Sequence, residues 1–138
     1  MIYFTRKYID ELFSFAKSEY PKECCGILAG KFLEDKIRVE KIYKMENVSE
    51  TPELCYFMQP QQQLKVLKEI RSLKLEMIGI FHSHTHTEAY PSHRDLELAF
   101  YYDVVYIIIS LKKIEEPKIR AFKISEKKDI TEIEIKIE

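Results

Sequence analysis

Residues Val104 to Leu111 read Val-Val-Tyr-Ile-Ile-Ile-Ser-Leu, an almost continuous apolar run of strand length. A strand apolar on both faces has to lie inside a sheet that is covered on both sides. That demand narrows the fold to a layered one, with helices or further strands packed over a central sheet.

The rest of the chain supplies those layers. Residues Arg6 to Tyr20 predict a helix: Tyr8, Leu12, Ala16 and Tyr20 lie four apart, and Phe13 and Phe15 widen the stripe. Thr5 can cap its start, and Pro21 ends it. Cys24 to Ala29 predicts a buried strand closed by Gly30, and Lys36 to Met45 a second, alternating one. A polar loop over Asn47 to Pro52 leads to a short strand near Cys55 to Met58. A second helix then runs from Pro60 to about Leu73 and buries Leu64, Leu67 and Ile70. Met77 to Phe81 predicts a strand that leads straight into His82. A third helix begins after Ser92, with Leu96, Ala99 and Phe100 on its inner face. Ile119 to Ile124 and Ile130 to Ile137 alternate strictly and predict antiparallel strands with one face in water. The expected fold class is mixed α/β, with a central, mostly antiparallel sheet flanked by helices. Nothing in the chain marks a domain boundary, so residues 1–138 are expected to form a single domain.

Charge excludes some functions. With 22 basic against 23 acidic side chains, no positive excess is available to neutralise nucleic-acid phosphates. No apolar run reaches membrane-span length and no signal pattern opens the chain, so a cytoplasmic protein acting on neither nucleic acid nor membrane is expected. The three cysteines, Cys24, Cys25 and Cys55, show no Cys-x-x-Cys spacing, which argues against a disulfide framework or a zinc ribbon. Asn occurs once, at Asn47, among abundant Lys, Glu and Ile, a bias shared with proteins of hot-living organisms.

All four histidines fall within twelve residues, at His82, His84, His86 and His93, with Asp95 just beyond. Imidazole is the commonest protein metal ligand, and a carboxylate often completes a catalytic zinc site. In a strand, His82 and His84 point to the same side and can converge on one ion. Asp95, at the start of the third helix, is the candidate third ligand, leaving a tetrahedral position open. His86 is an alternative ligand, and His93 is expected to be a solvated helix-start residue. Ser92-x-x-Asp95 also has the form of a capping box, which is compatible with a metal role for Asp95.

Taken together, Glu23-Cys-Cys-Gly26, His82-x-His84 and Pro91-Ser92-x-x-Asp95 resemble the signature of the JAMM (MPN+) zinc metalloproteases. That signature joins an upstream E-x-x-G to H-x-H and, after seven intervening residues, to S-x-x-D; the spacing here agrees. The departure is Thr85, which stands where the family usually has proline and is expected to alter the loop more than the metal. The resemblance implies a JAB1/MPN (cytidine-deaminase-like) fold and one Zn2+ held by His82, His84 and Asp95. It implies Glu23 as the general base and acid that moves a proton from water to the leaving amine. It implies Ser92 as a hydrogen-bond donor to the oxyanion.

The chain resembles the short, stand-alone prokaryotic members, having little room after Asp95 for a ubiquitin-gripping insertion. For those, the resemblance implies peptidase or isopeptidase cleavage after the C-terminal Gly-Gly of ubiquitin-like or sulfur-carrier β-grasp proteins. The loop from Asn47 to Tyr56 is the candidate edge for an extended substrate tail. The alternatives are a RadC-like or other hydrolase on the same scaffold, and a metal-binding interaction module without turnover. The oligomeric state is left open.

Overall fold

The structure, a computed structural model, describes residues 1–138. The chain runs β1 (Ile2–Phe4), α1 (Arg6–Glu19), β2 (Cys25–Phe32), β3 (Ile37–Met45), α2 (Pro60–Ser72) and β4 (Glu76–His84). It continues through α3 (His93–Glu97), β5 (Val105–Ser110), β6 (Lys118–Ile124), β7 (Ile130–Ile133) and β8 (Ile135–Ile137). The strands form one sheet in the order β7-β6-β5-β4-β2-β3-β1-β8. Pairing is mixed and mostly antiparallel; the parallel pairs are β1 with β3, β1 with β8, and β4 with β5.

The apolar run that opened the sequence reading is β5, buried along its whole length. Val105, Ile107 and Ile109 pack on one face with Leu12 and Ala16 of α1. Tyr106 faces the other layer, with Ile70 of α2 and Ile80 of β4. Helix α1 forms as expected, capped by Thr5, whose hydroxyl accepts the Tyr8 N–H. No helix is long and apolar enough to cross a membrane.

Four expectations are corrected. The residues near Cys55 to Met58 make only an isolated bridge, Asn47 with Met58, because side-chain hydrogen bonds satisfy much of this loop's backbone. Helix α2 buries Ile70 and half-buries Leu67 but leaves Leu64 exposed; its packed stripe is narrower than its apolar one. Helix α3 stops at Glu97, so Ala99 is buried from the following loop while Phe100 points into solvent. Gly30 lies inside β2 rather than closing it, beside a bulge that shifts its pairing with β3.

The last segment departs furthest from expectation. Residues Ile130 to Ile137 form two short strands on opposite ends of the sheet: β7 pairs with β6, and β8 with β1. Only Glu134 separates them, so the sheet curls until its ends meet. The Ile2 N–H donates to the Glu134 carbonyl at 2.9 Å, at the seam. Alternation of side chains continues through the segment while its backbone partner changes, and alternation does not encode the partner.

Candidate metal centre

Strand β4 carries two of the candidate ligands between β2 and β5: His82 lies opposite Cys25 on one side and Ile108 on the other. Its pairing with β2 steps from Gly79 to Met77, leaving Ile78 as an extra, bulged residue. The bulge resets the alternation. Ile78 and Phe81 face the α1 layer, whereas Ile80 sits in the opposite one, on the side of His82 and His84.

His82 Nε2 and His84 Nε2 approach to 3.1 Å. Asp95 Oδ1 lies 3.1 Å from His82 Nε2, and Asp95 Oδ2 lies 2.9 Å from His84 Nε2. These three residues form a group able to hold a metal ion, with all ligand atoms within 4.8 Å of one another. The His84 Nδ1–H donates to the Glu88 carbonyl at 2.9 Å, since a carbonyl can only accept. That bond fixes the tautomer and turns the Nε2 lone pair toward the group. Glu88 is held in turn by its turn: the Ser110 hydroxyl donates to the Thr87 carbonyl at 2.6 Å, next to the buried Thr85.

The metal test turns on those nitrogens. Two imidazole nitrogens at 3.1 Å that also face one carboxylate are spaced as neighbouring ligands on an ion at roughly 2.0–2.1 Å, the usual zinc–nitrogen distance. Two histidines and a carboxylate are also a common three-ligand set of catalytic zinc. The residues fit the ion.

Asp95 reaches this point because Ser92 caps α3. The Ser92 Oγ accepts the Asp95 N–H at 3.1 Å, and Asp95 Oδ2 accepts the Ser92 N–H at 2.9 Å. The capping box aims the Asp95 carboxylate at the histidines, an arrangement compatible with a metal role. Burial alone would raise the Asp95 pKa, but the His82 and His84 imidazoles and the Ser92 N–H together hold it well below the ordinary carboxylate value. For His84, burial opposes the charged form, yet the hydrogen bond and charge of Asp95 prevail and raise its pKa.

Glu23 lies two residues before the first residue of β2 and is buried, at 6% exposure. Burial pushes its carboxyl up to about 8; the nearby His84 pulls it down and the charge of Asp95 pushes it further up. Glu23, His84 and Ser92 line one cavity of about 160 Å³. The glycine of the E-x-x-G segment has a steric reason. A Cβ on Gly26 would collide with the Phe81 ring and the Tyr43 carbonyl.

The other histidines stay outside the group. His93 pairs with Glu97 at 2.8 Å and is solvated, as expected. His86 packs edge-on to Tyr20 and lines the Glu23 cavity without joining the ligand cluster. Cys24 and Cys25 are buried free thiols, and burial pushes Cys24 up to about 12.

Three contributors were not visible in the sequence. Tyr56 stacks on the His82 ring, with centroids 4.5 Å apart. Ser83, between the two histidines, has its Oγ 2.7 Å from the Cys24 N. Asn47 binds five backbone groups around the Glu23 side of the site. Being the only asparagine was a signal for Asn47, but it read as a stability bias.

Comparison with known proteins gives the family and the fold. The chain is 35% identical over 116 residues to a desampylase of Pyrococcus furiosus, covering 84% of this chain and 76% of that protein. It is 33% identical over 116 residues to a CysO-cysteine peptidase of Mycobacterium tuberculosis, covering 84% of this chain and 77% of that one. A solution structure of a Desulfitobacterium hafniense protein superposes with a TM-score of 0.90 at 36% identity, over 100% of this chain and 93% of that one. A JAB1/MPN domain protein from Archaeoglobus fulgidus shares the fold, with a TM-score of 0.62 at 20% identity, over 99% of this chain and 96% of that one. The family model for prokaryotic homologs of the JAB domain matches residues 5–125, a span holding the whole Glu, His, His, Ser and Asp set, and the chain belongs to that family.

Proposed function

We propose that this protein is a zinc-dependent peptidase or isopeptidase that cleaves after the C-terminal Gly-Gly of a ubiquitin-like or sulfur-carrier β-grasp protein. The observation that carries the reading is one open cavity in which a buried, protonatable Glu23 and the Ser92 hydroxyl face the His84 side of the ligand cluster. Relatives named for peptidase and desampylase activity support cleavage as the outcome.

His82, His84 and Asp95 would hold the ion. Bound zinc supplies Lewis acidity and lowers the pKa of water to roughly 7. Glu23 takes the proton from the attacking water and delivers it to the departing amine; burial raises its carboxyl and a bound cation would lower it again, so the carboxylate form can accept the proton and the acid form return it. Ser92 uses an oxygen lone pair for its cap bond, so its O–H proton is free to donate to the oxyanion.

The surroundings support a protein substrate. A groove between the 48–57 loop and the α3 region, lined by Val48, Tyr56, Phe57, Arg94 and Leu98, neighbours the site through Tyr56, which stacks on His82. Phe57, Leu98 and Phe100 beside it are at least 45% exposed, an apolar strip suited to a folded partner. An extended tail would lie in the groove.

The test uses a β-grasp carrier whose Gly-Gly end is amide-linked to an amino acid or to a lysine side chain. Release of the free carrier should stop on chelation and return with added zinc. Cleavage that persists after the chelated protein is shown to be metal-free would refute the zinc mechanism. A zinc-loaded protein that cleaves neither linkage would leave a binding module without turnover.

A further inference from the structure

No regular ladder holds Glu23. Its N–H donates to the Pro52 carbonyl at 2.8 Å, and its carbonyl accepts from Asn47 Nδ2 at 2.9 Å. The next N–H, of Cys24, donates to the buried Ser83 Oγ at 2.7 Å, while the Ser83 N–H donates back to the Cys24 carbonyl at 3.1 Å. In a regular antiparallel pair Cys24 would donate to a backbone carbonyl. The serine side chain takes that place, at the point where the chain turns away from β4 toward the site.

Asn47 holds the other side. Its Nδ2 also donates to the carbonyls of Cys55 at 3.1 Å and Pro52 at 3.4 Å. Its Oδ1 accepts the N–H groups of Ser49 and Phe57, each at 3.0 Å. One amide therefore closes the loop that carries Tyr56 against His82, and ties that loop to Glu23. A chain otherwise free of asparagine keeps one here, where both ends of a short side chain are used.

We propose that Ser83 and Asn47 are positioning residues for Glu23, clamping the peptide groups on either side of it so that its carboxyl meets water and leaving amine at the metal. Proton transfer needs heavy atoms within roughly 2.6–3.2 Å, and a misplacement near 1 Å costs on the order of 100-fold. The inference rests on the shuttle role given to Glu23 above.

The experiment compares Ser83→Ala, Asn47→Asp and Glu23→Gln, each zinc-loaded, on one carrier conjugate. Asn47→Asp keeps the acceptor oxygen and removes the donors to Glu23 and Cys55. Both clamp variants should keep one zinc per chain and an unchanged KM, with kcat lower by roughly 10- to 100-fold. In Ser83→Ala the Cys24 amide should also exchange with solvent faster in the metal-free protein. Clamp variants with wild-type kcat beside an inactive Glu23→Gln would overturn the positioning role alone. Loss of zinc or a raised KM in place of the fall in kcat would overturn it as well. A Glu23→Gln variant at the wild-type rate would instead sink the shuttle reading on which it depends.

Discussion

His84 shows how the candidate metal centre is prepared one residue at a time. Its Nδ1 is committed to the Glu88 carbonyl, and Asp95 raises its pKa against the opposing effect of burial. A metal has to displace the proton that His84 carries on Nε2 when charged, so zinc affinity should weaken as pH falls into and below the raised His84 range, and strengthen above it. Titration calorimetry in buffers of different ionisation enthalpy should show proton release on binding; an affinity that does not change with pH would count against His84 as a ligand. At this scale the ligand cluster was legible because both of its spacings are local. A strand sets His82 and His84 two apart, and a helix cap sets Ser92 and Asp95 three apart. Tyr56, Ser83 and Asn47 act across chain separations that no local pattern encodes. The 59-residue separation of Cys24 and Ser83 is closed only by the sheet.

Among the elements, the short α3 carries two duties on one residue. Ser92 caps the helix through its oxygen, and in the proposed mechanism its O–H donates a hydrogen bond to the oxyanion. Replacing it with glycine separates these, since glycine is a tolerable cap that costs only a few tenths of a kcal/mol. Ser92→Gly should unfold within a few degrees of the wild type yet lose about 100- to 1,000-fold in kcat. Parallel losses in Tm and activity would assign the serine to the cap alone. Helix α1 and strand β5 were readable because caps, proline and apolar periodicity all agree there. Helix α2 was over-read, because an apolar residue such as Leu64 can sit on a helical stripe with no neighbour to cover it. The bulge at Ile78 left no mark in the sequence, yet it sets which layer each following side chain of β4 enters.

For the molecule as a whole, the C-terminal segment decides whether the sheet is open or closed. Ile133 and Ile135 pack onto the α1-side core, and Ile130 onto the cluster of Ile108 and Phe122. Ending the chain after Ser125 would uncover these contacts, each worth roughly 1 kcal/mol, and leave β6 and β1 as bare edges. The truncated protein should melt earlier and scatter light in a concentration-dependent way. An unchanged Tm and a monomeric profile would show that the closure contributes nothing. The family model covers the site and most of the sheet and ends at residue 125, whereas the Desulfitobacterium hafniense structure superposes over the whole chain, this closing segment included. The layers were legible from apolar runs, whereas the closure was not, since each half of the segment has a different backbone partner.

The proton shuttle is the central claim, and Glu23→Gln tests it most directly. The amide keeps the size of the side chain and removes its proton chemistry. The variant is predicted to retain one zinc per chain, measured by metal analysis, and to release no carrier from a Gly-Gly-linked conjugate. Wild-type cleavage by that zinc-loaded variant would contradict the account.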